Sequence, residues 1–119
     1  MCIRNAVKKD VKKLPTWGYY YKVLDGHNKS LFRIFEYHEG INEIPETEQE
    51  NAGNRGTAIV YAGGHFFRTK KAALVYREFD QVIVKFKILR RDISHVGVTR
   101  KNLKTVLARR AEMINRVNP

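Results

Sequence analysis

The clearest pattern in the sequence is an apolar residue at every second position from 82 to 88, with two lysines between them. Four apolar residues fall on one side of this segment, and Lys85 and Lys87 fall on the other. A period of two is typical of a β-strand with one buried face, so we predict a strand over residues 81–89. Shorter alternations predict three further strands, at residues 19–24, 31–37 and 57–62. Turn-forming residues at 25–29 join the first two of these into an antiparallel hairpin.

Apolar residues recur at helical spacing in three other segments, residues 2–14, 70–79 and 99–117. Thr69 and Thr99 precede the second and third segments, where a hydroxyl can accept a hydrogen bond from an early helical amide. The sequence therefore predicts an α+β fold, with a small antiparallel or mixed sheet of about four strands and two to three helices packed on it. A chain of this length predicts a single domain over residues 1–119.

One stretch of the chain is strongly acidic. Residues 36–54 contain six glutamates and no lysine or arginine, among glycine, proline and asparagine. This composition predicts a long acidic surface loop at about residues 38–56. Two interpretations stay open: a solvated linker, or an internal counter-charge that lies across a basic surface until a polyanion displaces it.

The rest of the chain is basic, and the 119 residues carry a formal net charge of +11. No apolar run is long enough for a membrane span, and the N-terminus has no apolar signal segment. Cys2 is the only cysteine, which excludes an internal disulfide framework and fits a reducing compartment. We therefore expect a cytoplasmic protein, in the cytoplasm of the host cell if it is viral, with no membrane partner.

The usual signatures of catalysis and of metal binding are missing. The four histidines are widely spaced, and no P-loop, dinucleotide-binding or serine-hydrolase motif occurs. We therefore expect no metal and no cofactor. What remains is the basic surface, which predicts an acidic partner, either nucleic acid or a host protein or nucleoprotein complex. Solubility alone is the competing explanation for such a charge.

The candidate binding residues are the cations predicted on one strand and two helices, together with an aromatic residue and a histidine. They are Lys70, Lys71, Lys85, Lys87, Arg90, Arg91, Lys101, Lys104, Arg109, Tyr20 and His65. Tyr19, Tyr20 and Tyr21 are all candidates for stacking against bases beside these charges.

The segment Gly63-Gly64-His65-Phe66-Phe67, followed by Thr69 and a helix with Ala72-Ala73 and Tyr76, is the most distinctive motif. Its Gly-x-His-x-Phe pattern resembles a module of small phage and viral proteins and covers residues 63–97. The same corner is similar to one in ADP-ribosyltransferases, where Gly-x-x-Phe precedes a helix that bears Ala and Tyr. Read from the residues alone, the segment is either a structural β-to-α corner or the wall of a groove.

These features lead to three hypotheses. The resemblance to phage proteins and the basic charge together imply a non-enzymatic accessory protein that binds nucleic acid or a nucleoprotein. An inhibitor of a host defence complex, such as a CRISPR effector, is one such protein. The second resemblance implies a small ADP-ribosyltransferase-like enzyme or a degenerate relative, with His65 and Tyr21 near a nicotinamide nucleotide. The third hypothesis is an assembly protein that docks a partner through the helices predicted at 2–14 and 99–117.

Overall fold

The computed structural model describes residues 4–7, 9–29, 35–44, 47–50, 59–62, 64–78, 80–99 and 102–117. Within these residues the fold is mostly β, with ten strands and one short α-helix. The strands are β1 (Arg4–Val7), β2 (Trp17–Leu24), β3 (Gly40–Glu43), β4 (Thr47–Glu50), β5 (Ile59–Ala62), β6 (Gly64–Phe67), β7 (Val82–Leu89), β8 (Ile93–Val98), β9 (Lys104–Ala108) and β10 (Arg110–Val117). The helix α1 spans Lys70–Tyr76, and two 3₁₀ turns span Lys9–Lys13 and Arg90–Asp92.

Eight strands form one antiparallel sheet in the order β1-β8-β9-β6-β2-β7-β10-β3, and β4 pairs separately with β5. The sheet is organised by a long hairpin in which β7 pairs with β10 and β8 pairs with β9. One arm of this hairpin is β7 followed by β8, and it bends at the turn Arg90–Asp92. The other arm is β9 followed by β10, and it bends opposite that turn, at Arg109. The amide of Arg109 donates to the carbonyl of Asp92 at 2.9 Å, which joins the two bends into one corner.

The concave side of this bent sheet encloses the main core. Phe66 and Phe86 lie at its centre with ring centroids 4.9 Å apart, and Tyr37 packs edge-on against Phe86 at 5.2 Å. Residues from β2, β6, β7, β8, β9 and β10 all contribute to this one cluster. A second, smaller cluster lies on the convex side, where α1 packs Ala72 and Ala73 against Val23, Phe67 and Ile83.

Several of the sequence predictions are confirmed. Strands occupy β2, β5 and β7 where alternation predicted them, and α1 begins after Thr69, whose hydroxyl accepts from the amide of Ala72 at 3.1 Å. Val82, Val84, Phe86 and Ile88 of β7 point into the main core, and Lys85 and Lys87 lie on the opposite side. Of the strand predicted at 31–37, residues 31–34 lie outside the described residues, and Glu36 forms an isolated bridge with Lys29.

The predicted fold class is wrong. In place of an α+β fold with about four strands and two to three helices, the described residues form eight strands in one sheet, two in another, and one helix. The largest error is the helix predicted at 99–117, which is β9 and β10. Thr105 to Ala108 are buried on both sides of the sheet, so the two-residue alternation that marks a half-buried strand is absent there. Thr99 closes the β8–β9 loop instead, and its hydroxyl accepts from the amide of Leu103 at 3.3 Å.

The helix predicted at 2–14 is also wrong, because β1 pairs with β8 and a 3₁₀ turn follows it. The acidic stretch likewise contains two short strands, β3 and β4, although its composition argued against strand. Asn42 explains why β3 forms there. Its fully buried side chain accepts from the His38 amide at 2.9 Å and donates to the carbonyls of Gly40 and Ala111, which ties β3 to β10.

One position in the main core carries an unusual residue. Lys22 points inward from β2, and its Nζ donates to the carbonyl of His65 at 2.8 Å. The ring of Phe66 lies 5.1 Å from the ammonium group and that of Tyr37 lies 5.7 Å from it. Among the described residues, no carboxylate forms an ion pair with Lys22. Burial therefore lowers the pKa of Lys22 to about 7, because an unpaired cation is costly to desolvate.

We predict that the free energy of unfolding rises between pH 7 and pH 9.5 and that Lys22 causes the rise. The pKa of Lys22 is depressed in the fold, so above pH 7 the unfolded chain binds the extra proton and the folded state gains stability with pH. For one such group the gain is about 3 kcal/mol over this window. Urea unfolding across the pH range measures it.

The variant Lys22→Met removes the titrating group, so its stability should lack this rise. Lys71→Met, which changes an exposed lysine on α1, is the matched control and should keep it. An identical rise in Lys22→Met and in the native chain would contradict the assignment.

Candidate functional site

The convex side of β2 and β7 presents exposed aromatic rings beside lysines. Trp17 is 47% exposed and Tyr19 is 44% exposed, and both project from the first half of β2. The register of the two strands pairs Tyr19 with Lys87 and Tyr21 with Lys85, so all these side chains lie on one side of the sheet. We call Trp17, Tyr19, Lys85 and Lys87 the aromatic–lysine face.

Contacts between rings and ammonium groups order this face. The Nζ of Lys85 lies 4.1 Å from the ring centroid of Tyr19, and the Nζ of Lys87 lies 5.0 Å from that of Trp17. The two rings meet edge to face at 5.4 Å and an interplanar angle of 84°. Each cation–π contact contributes about 0.5–1 kcal/mol at an exposed site. These contacts hold two cations and two partly exposed rings in fixed relative positions.

The aromatic–lysine face has different neighbours at each border. Towards the end of β2, helix α1 covers Val23 and Ile83, so the sheet is closed to solvent there. On the β10 side, Glu112 pairs in register with Lys87, and Ile41 of β3 pairs with Glu112. A carboxylate and an exposed apolar side chain therefore continue the same row across the sheet. No described element covers Trp17 and Tyr19.

The predicted cations do not form a single patch. Lys85 and Lys87 lie on the aromatic–lysine face, and Arg90 and Arg91 form the corner that follows β7 directly. The others are more widely distributed: Lys70 and Lys71 at the start of α1, Lys104 at the start of β9, and Arg109 at the corner, 3.8 Å from Asp92. Lys101 lies outside the described residues.

Two predicted site residues are buried. Tyr20 is 4% exposed because it alternates with Tyr19 and points into the main core, where burial raises the pKa of its hydroxyl against a smaller lowering effect of Arg68. His65 is 8% exposed on β6. Gly64 precedes it at a position with no room for a side chain, since a Cβ would lie 2.9 Å from the carbonyl oxygen of Ala108. Within the described residues, this part of the distinctive motif packs the sheet.

The ADP-ribosyltransferase resemblance placed His65 and Tyr21 at a nucleotide. The structure puts both on the convex side of the sheet, with Tyr21 in register with Phe67 and partly buried near α1. That activity stays a prediction from the sequence. The third hypothesis loses its helices, because the segments it used for docking are strands and a 3₁₀ turn.

Trp17 is the residue that the sequence patterns did not single out. The alternation predicts a strand that begins at Tyr19, after Pro15 and Gly18, whereas β2 begins at Trp17. A signal was nonetheless present. Trp17, Tyr19 and Tyr21 are spaced two apart, as are Lys85 and Lys87, and that spacing places each set on one side of a strand.

Comparisons with known proteins give no relative to set beside this site: no family model, no curated protein and no solved structure matches the chain. In the part of the chain that the structure describes, no group of three or more His, Cys, Asp or Glu side chains is placed to hold a metal ion. The described residues also include no helix with the length and apolar character to span a membrane.

Trp17 is the only tryptophan, so its fluorescence reports on the aromatic–lysine face. We predict efficient quenching of this fluorescence by iodide, because the ring is about half exposed and Lys85 and Lys87 concentrate anions near it. The double variant Lys85→Met/Lys87→Met should lower the Stern–Volmer constant for iodide and leave that for neutral acrylamide nearly unchanged. Quenching by iodide that is insensitive to these lysines would show that the face has no local positive potential.

Proposed function

We propose that this protein binds single-stranded nucleic acid, with bases stacked on Trp17 and Tyr19 and phosphates held by Lys85 and Lys87. The observation that carries the proposal is the ordered pairing of half-exposed rings with ammonium groups on an uncovered side of the sheet. Proteins that bind single strands without sequence preference combine aromatic stacking platforms with a positively charged track for the backbone.

A single strand fits this face better than a duplex. Stacking needs the flat surface of an unpaired base, and the rings of a duplex are stacked on one another. The ring centroids of Trp17 and Tyr19 lie 5.4 Å apart, so the two rings are close enough to receive successive splayed bases of one strand. The carboxylates of an acidic protein surface would engage Lys85 and Lys87 but would not stack on the ring of Trp17.

The charge of the whole chain supports the same partner. A net charge of +11 raises the local concentration of polyanions and speeds their association. Lys85 and Lys87 of the face are followed in the chain by Arg90 and Arg91, at the corner that ends β7. The expected phage or viral origin, and the inhibition of a host defence complex, stay predictions from the sequence.

The proposal is tested by fluorescence anisotropy with labelled oligothymidylate. We expect salt-dependent binding by the native chain and weaker or no binding of a duplex of the same length. Trp17→Ala/Tyr19→Ala should weaken binding by about tenfold to a hundredfold, since one stacked base contributes about 1–3 kcal/mol. Val75→Ala, which trims another exposed apolar residue on α1, is the matched control and should bind normally.

Two outcomes would refute the proposal. One is equal affinity for the duplex and the single strand, which would indicate charge attraction without stacking. The other is a Trp17→Ala/Tyr19→Ala variant that binds as well as Val75→Ala does.

A further prediction concerns the carboxylate in the same row of the sheet. Glu112 pairs with Lys87 in register, so a phosphate drawn to Lys87 also meets this negative charge. Glu112→Gln should therefore bind oligothymidylate more tightly, by about threefold to tenfold at low salt, with a smaller gain at high salt. Glu78→Gln, at an exposed position after α1, is the control and should change the affinity less. Unchanged or weaker binding by Glu112→Gln would place the phosphates away from this row.

A further inference from the structure

A groove of about 470 Å³ lies between the 3₁₀ turn Lys9–Lys13 and the corner Arg90–Asp92. Its apolar part is formed by Val11, Leu89 and Ile93. This volume lies in the range of sites that take small organic ligands. We call it the anchor groove.

Three cations also line the anchor groove, namely Lys12, Arg90 and Arg91. None of its described lining residues is acidic. The two carboxylates that are close in sequence have other partners. Asp10 lies 3.4 Å from Lys13, and Asp92 lies 3.8 Å from Arg109. The groove therefore combines an apolar wall with positive charge that its own lining does not neutralise.

Arg90 is fixed in position by the surrounding backbone. One guanidinium nitrogen donates to the carbonyl of Leu14 at 3.0 Å, and the amide of Arg90 donates to the carbonyl of Thr16 at 2.8 Å. A guanidinium has five N–H donors, so this bond leaves others for a ligand. Because its orientation is already set, binding an anion costs Arg90 little conformational entropy.

The anchor groove adjoins the aromatic–lysine face at Thr16 and Leu89, while Val11 and Ile93 in its lining pack with the main core. Leu89 lines the groove and pairs in register with Trp17, so both lie on the convex side of the sheet. Thr16, which directly precedes Trp17, also lines the groove. The backbone from Lys85 to Leu89 covers about 13 Å at the usual rise of a strand. A nucleic-acid strand of a few nucleotides is long enough to reach from one site to the other.

We propose that the anchor groove holds one nucleotide of the bound strand, with its phosphate among Lys12, Arg90 and Arg91 and its base or sugar against Val11 and Leu89. This inference rests on the proposed function, since it extends the same strand beyond Trp17. It gives phosphate binding as the role of Lys12, for which the sequence patterns predicted no function, and of the corner that ends β7.

The first test uses Lys12→Gln/Arg91→Gln. Both side chains are exposed, and the variant keeps Arg90 and its bonds to Leu14 and Thr16. We expect oligothymidylate affinity to fall by about tenfold, and the slope of log K against log salt to become shallower by about 1.4, as expected for two lost phosphate contacts on a single strand. Lys70→Gln/Lys71→Gln removes the same charge from α1 and should have a clearly smaller effect on both quantities.

The second test uses small probes and the backbone amide spectrum of the native chain. Thymidine 5′-monophosphate should shift the amides of residues 11–14, 16 and 89–93, whereas thymidine alone should shift them much less. Equal shifts with both probes, or shifts elsewhere only, would overturn the proposal.

The outcomes separate this inference from the proposed function. If Trp17→Ala/Tyr19→Ala weakens oligonucleotide binding but Lys12→Gln/Arg91→Gln behaves like the α1 control, the anchor groove is refuted and the proposed function stands. If the monophosphate shifts the groove amides while no oligonucleotide binds, the groove takes free nucleotides, and both the strand proposal and its extension are overturned.

Discussion

The pairing of β2 with β7 is the constraint on which the rest of the structure depends. Eight residue pairs run without a break from Trp17↔Leu89 to Leu24↔Val82. Because side chains alternate across a sheet, this register decides which residues enter the core and which face outward. A slip of β2 by one residue against β7 would turn Tyr19 into the core and Tyr20 outward. The same register that packs the core therefore also builds the aromatic–lysine face.

The corner of the long hairpin sets the limits of this face. β7 leaves the sheet at Arg90, and hydrogen bonds from Arg90 to Leu14 and Thr16 hold the chain before β2 against that bend. The start of β2 and the end of β7 are thus fixed to each other, which keeps Trp17 beside Lys87 and opens the anchor groove next to them. The same contacts of Arg90 therefore position both the start of the aromatic–lysine face and the anchor groove.

How much the sequence could predict depended on how each strand is buried. β7 was predictable because one side is apolar and the other carries lysines. β9 was not, because both of its sides are buried and its alternation disappears. β10 adds helix-favouring residues such as Ala111 and Glu112, whose preference is overridden by pairing with β7 and β3. The short strand β3 depends on the buried hydrogen bonds of Asn42, which no composition pattern reveals.

The candidate site was predictable only in part, for a reason that lies in β2. The alternation assigned Lys85 and Lys87 to the outer side of their strand. It did not show which of the three tyrosines on β2 face outward, because Lys22 is a polar residue on the buried side of that strand. Tyr20 points into the main core and is buried, and Trp17 and Tyr19 provide the exposed rings.

The most direct measurement is ultraviolet cross-linking of oligothymidylate to the native chain, with the attachment sites located by mass spectrometry. Cross-links at Trp17 and Tyr19 are the predicted result, and cross-links confined to α1 or to other parts of the chain would contradict this account.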